Sequence, residues 1–109
     1  MVIQHKNLAE SGWQKLTLAE QLGNIGGETN RALRWLDKDD KIYQDCLTRA
    51  LELLDLTIRD PRWRGRLKEL LRVREFLCDS FFAGEEYASR LEDLDHYFLE
   101  FALAARLGK

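Results

Sequence analysis

Apolar positions recur at spacings of three and four residues in four successive stretches, each bounded by a recognisable helix start or stop. Thr17-Leu18-Ala19-Glu20 has the form of a capping box, in which the hydroxyl accepts from a helical amide and Glu20 reaches back. Behind it Leu18, Leu22, Ile25, Thr29, Ala32, Leu33 and Leu36 share one helical face. Gly23, Gly26 and Gly27 each weaken this stretch by about 1 kcal/mol. Gly26 lies beside the apolar face, where a close helix crossing offsets that loss. The pattern favours one helix over a local break.

Asp37-Lys38-Asp39-Asp40 is a polar connection that supplies the next N-cap. Ile42, Cys46, Ala50, Leu53 and Thr57 then share a face that Tyr43, Leu47 and Leu54 widen, as in a helix with neighbours on two sides. Asp60-Pro61 predicts the end of that helix and the start of a third. Its core stripe reads Leu67, Leu70, Leu71, Leu77, Cys78, Phe81 and Phe82, closed by Gly84 as a left-handed cap. Ser89-Arg90-Leu91-Glu92 is a second capping box, and Leu91, Leu94, Phe98, Phe101, Ala102 and Ala105 give a fourth core face. Short connections force antiparallel neighbours. The expected fold is all-α, an up-down-up-down four-helix bundle over residues 17–109 preceded by a short arm, 1–16, that Trp13 pins to the body.

Composition agrees with one domain of 109 residues, 45% hydrophobic and with a single proline. A net charge of −2 favours neither nucleic acid nor an anionic membrane in bulk. No stretch has the length of a membrane span, and Met1 to Glu10 lacks the apolar run of a signal peptide, so cytoplasmic residence is expected. Cys46 and Cys78 fall on apolar faces and read as reduced, buried thiols.

Three sets of polar residues stand apart. Arg74 falls in the centre of the third stripe, where a buried guanidinium demands a carboxylate; Glu28, Glu52 and Asp55 are candidates the spacing does not rank. Its alternative role is to bind an anion in a cleft. Residues 59–75 hold seven basic against three acidic side chains, a local excess of +4. Within them Arg64, Lys68 and Arg72 form an outward ridge that could track phosphates or simply be solvated. On the last helix His96 points away from the core beside an uncovered stripe, Leu99, Leu103 and Leu107, which suggests self-association, with outward-directed Trp35 a further interface residue. A two-fold homodimer brings both His96 side chains to its seam.

The segment Arg90-Leu91-Glu92-Asp93-Leu94-Asp95-His96-Tyr97 resembles the arginine–histidine motif of HEPN ribonucleases, small helical bundles that are often dimeric toxins. Leu91, a core residue, departs from the polar residue usual after the arginine. The resemblance implies metal-independent RNA cleavage in a cleft between two copies, with His96 moving a proton, Arg90 stabilising the transition-state charge, and an antitoxin as possible partner. Asp93 and Asp95 oppose RNA approach. The Leu18–Gly26 run is also similar to small prokaryotic bundle proteins of uncharacterised role, which implies no activity. Asp93 and His96 have a metal-pair spacing but face outward without a second histidine, and no phosphate loop follows a strand, so neither metal nor cofactor is expected. The favoured function is a dimeric interaction module. Ribonuclease activity and non-catalytic RNA or phosphate binding are the alternatives.

Overall fold

The computed structural model describes the backbone of residues 12–81 and 88–107, and the side chains of 12–79 and 91–107. Gly84, Phe82, and the side chains of Phe81 and Arg90 lie outside the described residues. Four α-helices follow a 3₁₀ turn at Trp13–Lys15: α1 (Leu18–Trp35), α2 (Asp40–Arg59), α3 (Leu67–Phe81) and α4 (Ala88–Leu107). A second 3₁₀ segment, Pro61–Arg66, joins α2 to α3. There is no strand among the described residues.

The local signals account for most of these boundaries. Thr17 Oγ1 accepts from Glu20 N at 3.1 Å and Glu20 Oε1 accepts from Thr17 N at 2.9 Å, completing the capping box. Asp39 caps α2 by accepting from Ile42 N at 3.0 Å. Between them Asp37 adopts φ 65°, a left-handed turn that short polar side chains tolerate better than most. Two boundaries differ from expectation. Ser89 lies within α4 (Ala88–Leu107) rather than at a cap preceding it. Pro61 opens a 3₁₀ segment rather than an α-helix: Trp63 leaves helical geometry (φ −104°, ψ 19°), its indole tied to Gln21, while Asp60 captures Arg62.

Each helix packs on two neighbours, with α1 most extensively against α4 and then α2. Contacts between α1 and α4 pair Gly23 with Ala102, Gly26 with Phe98 and Asn30 with Asp95, which is antiparallel register. A methyl group on Gly26 would lie 2.5 Å from the Phe98 Cβ, so the helices touch almost backbone to backbone there. Helix α1 runs uninterrupted, and this crossing explains why Gly23 and Gly26 stand in mid-helix; Gly27 faces open space.

The core comprises Leu22, Ile25, Ala32, Cys46, Leu47, Ala50, Leu54, Leu70, Leu77, Leu91 and Phe98, all essentially sealed from solvent. Trp13 is buried with them at 1% exposure, so the N-terminal segment is pinned from Gly12 onward. Its indole donates to Thr57 Oγ1 at 3.2 Å, and Gln21 Nε2 donates to the Trp13 carbonyl at 2.9 Å. Trp63 Nε1 completes the network by donating to Gln21 Oε1 at 3.0 Å. These bonds satisfy polar groups that would otherwise cost about 1–3 kcal/mol each to bury.

Helix α3 requires a correction. Its inward face runs through Leu70, Val73 and Leu77, and Leu71 is 45% exposed. At 100° per residue Leu71 is turned 160° from Val73, too far to share a buried arc with it. Cys78 is only half-buried; it and Cys46 are both free thiols.

Candidate functional site

Arg74 is not a core cation. It lies at the α2–α3 seam, 42% exposed, and its Nε donates to Asp55 Oδ1 at 2.7 Å. The structure thus selects Asp55 from the three candidate carboxylates. The pair reaches solvent because Arg74 is turned about 40° from the Leu70 direction toward α2. Such a pair is worth at most about 1 kcal/mol. It leaves no buried anion-binding guanidinium.

Glu28, another candidate, holds Arg49 at 2.7 Å across the α1–α2 seam and Arg31 at 3.2 Å within α1. Glu52 is buried in α2. Cys46 lies beside Arg49, and burial pushes its thiol up from the usual value, which disfavours a nucleophilic thiolate.

Of the ridge residues, Lys68 and Arg72 stand on α3 while Arg64 lies in the preceding 3₁₀ segment, so the expected single-helix ridge is interrupted; all three are exposed. Neighbouring Arg66 forks onto Glu69, with Nη2 at 2.9 Å from Oε2, and covers the Phe101 ring at 5.5 Å. The Tyr97 hydroxyl donates to the same carboxylate, joining α3 to α4. The Arg66 guanidinium holds the Glu69 carboxyl below its usual range. Burial, followed by the Glu69 bond, pushes the Tyr97 hydroxyl well up, so it stays protonated and serves as a donor. A groove of about 450 Å³ lies beside this bond, with Val73, Phe76, Leu94 and Tyr97 as its apolar wall and Arg72 and Asp93 at its edge.

The outer face of α4 carries the remaining candidates. Leu99, Leu103 and Leu107 are 49%, 47% and 87% exposed, and His96 is exposed beside them. Helix α4 is accordingly only weakly amphipathic, since it presents an inner and an outer apolar stripe. Asp95 is drawn toward α1 by Asn30 Nδ2 at 3.3 Å, while Asp93 faces the α3 groove. Leu99 also borders a groove of about 420 Å³ floored by Gly23, Gly26 and Gly27 and edged by Arg31 and Arg34.

Trp35, 38% exposed, does not join that stripe. In the α1–α4 register Leu99, the nearest of the row, stands level with Gly26, and Trp35 lies nine residues further along, about 13 Å away, with Leu103 about 20 Å away. The structure therefore brings His96 to the leucine stripe, and separates Trp35 from it. Exposed Leu71 and Phe76 on α3 were missed in the sequence, as was the Gln21–Thr57–Trp63 network. Gln21 sits one turn from Leu18 and Ile25, a position that marks it as core-facing; nothing local names its partners.

Among the described residues no group of three or more His, Cys, Asp or Glu side chains is arranged to hold a metal ion, and no helix is long and apolar enough to cross a membrane. The chain matches no protein-family model, no curated protein and no solved structure, so the HEPN likeness rests on the Arg90–His96 motif alone.

Proposed function

We propose that this protein is a helical interaction module that pairs with a second copy of itself through the outer face of α4. The observation that carries this reading is the row Leu99, Leu103 and Leu107, exposed at i, i+4 spacing on an otherwise well-packed bundle. A two-fold axis across α4 sets each row against its copy, the self-complementary arrangement that closes without leaving a sticky edge. Covering the six leucines is worth on the order of 8 kcal/mol. Association costs a comparable amount, so the pairing is weak and concentration-dependent.

Sedimentation velocity across a concentration series tests this. The native chain should shift from monomer to dimer, and Leu99→Glu with Leu103→Glu should remain monomeric at the same helical content. A native chain that stays monomeric at the highest concentrations defeats the proposal.

A ribonuclease reading has one observation in its favour: His96 is exposed at the edge of the row, so pairing would bring two imidazoles to one seam. That reading depends on the dimer and falls with it.

A further inference from the structure

The excess of basic residues in 59–75 has a counterpart in the ion pairs. Three of its arginines are already neutralised: Arg62 by Asp60 at 2.6 Å, Arg66 by Glu69 at 2.9 Å and Arg74 by Asp55 at 2.7 Å. Glu69 also accepts from Tyr97, so the carboxylate nearest the ridge is fully engaged. Four remain, Arg59, Arg64, Lys68 and Arg72, all exposed and none in an ion pair with another described residue; Arg59 turns back on α2, donating to the Asp55 carbonyl at 3.3 Å. Lys68 and Arg72, with Gly65, Arg66 and the Arg66-paired Glu69, border a shallow trough of about 460 Å³, which Arg64 precedes in the chain without lining it, and a side chain added at Gly65 would meet nothing within 4 Å. A ligand can therefore approach the backbone closely at the mouth of the trough.

We propose that this trough binds the phosphate backbone of single-stranded nucleic acid. Lys68 and Arg72 are separated by about 6 Å along the helix axis, a step a flexible strand can match phosphate by phosphate. Cations not already committed to protein carboxylates release counterions on binding without first breaking an ion pair. A planar anionic surface is disfavoured, because Glu75 and Asp79 share the exposed outer side of α3 and would be pressed against it. A narrow strand avoids them. The site requires no second copy, so it is independent of pairing through α4.

Fluorescence anisotropy of labelled oligouridylate, titrated with the full chain, tests the proposal. Two phosphate contacts on a single strand, at Lys68 and Arg72, predict binding that weakens roughly sevenfold when salt rises from about 50 to about 200 mM. Replacing Arg64, Lys68 and Arg72 together by Gln should abolish that binding while circular dichroism stays unchanged. Replacing Lys15, Lys38 and Lys41, exposed cations elsewhere, makes the same change in net charge and should leave it intact. The proposal is overturned by no anisotropy change at low salt, or by equal weakening in both triple variants. It is equally overturned if phosphatidylserine vesicles bind the native chain and oligouridylate does not.

Discussion

Gly26 and Gly27 are adjacent in one helix, yet alanine should act on them in opposite directions. Both replacements recover about 1 kcal/mol of helix propensity. At Gly27 nothing lies within 4 Å of the new methyl group, so the gain is kept and Gly27→Ala should stabilise by that amount. At Gly26 the new Cβ would stand 2.5 Å from the Phe98 Cβ, more than 1 Å inside an ordinary carbon contact. The Phe98 Cβ cannot swing aside as a side-chain tip would; α4 itself has to move, and α1–α4 is the most extensive seam in the bundle. Overpacking of this kind costs about 1–3 kcal/mol, and rigid neighbours place it toward the upper end. After the propensity gain, Gly26→Ala should lose about 1–2 kcal/mol. The two variants should then differ by some 2–3 kcal/mol, which at about 4–8 °C per kcal/mol separates their melting temperatures by roughly 10 °C or more. Urea denaturation and thermal melts at low protein concentration measure both. A Gly26→Ala chain as stable as the native one, or a Gly27→Ala chain less stable, refutes the backbone-contact account of α1–α4 packing.

Thr57→Val removes the acceptor of the buried Trp13 indole and should cost about 1–3 kcal/mol by urea denaturation, with Trp13→Phe largely cancelling that penalty in the double variant. Additive losses would show that the bond is not the coupling. Asp60 is buried and accepts from Arg62, whose guanidinium holds its carboxyl below the usual range. Because the folded value is depressed, its stabilisation is complete above the unfolded carboxyl value of about 3.9 and is lost as pH falls through the lower folded one. The stability gap between native and Asp60→Asn chains should therefore be constant from pH 7 to about 5 and shrink below about pH 4. A gap that does not change with acidification would contradict the ion-pair origin of the shift.

How much could be read along the chain differed from one residue to another. The capping residues Thr17 and Asp39 act within four positions of themselves, and their bonds are the expected ones. The exposure of Leu99, Leu103 and Leu107 was legible for a similar reason: α4 has room for one inward arc, already filled by Leu91, Leu94 and Phe98. Leu71 reads as core in the sequence because an apolar residue next to Leu70 extends the apolar stripe. The 3₁₀ segment and the two neighbours of α3 decide which arc closes, and Val73 takes the place instead.

Periodicity and capping alone thus determined the number and type of helices, the near-backbone role of Gly26 and the outward row on α4. These depend on the 3.6-residue repeat and on hydrogen bonds within a turn, both local properties. Tertiary structure alone decided that Asp55 meets Arg74, that Gln21 bridges Trp13 and Trp63, that Trp35 lies about 20 Å along the helices from Leu103, and that Arg64, Lys68 and Arg72 form no ion pair with another described residue. The bonded partners within these sets lie as few as eight and as many as 42 residues apart, and which side chains meet depends on how the helices rotate to seal one shared interior.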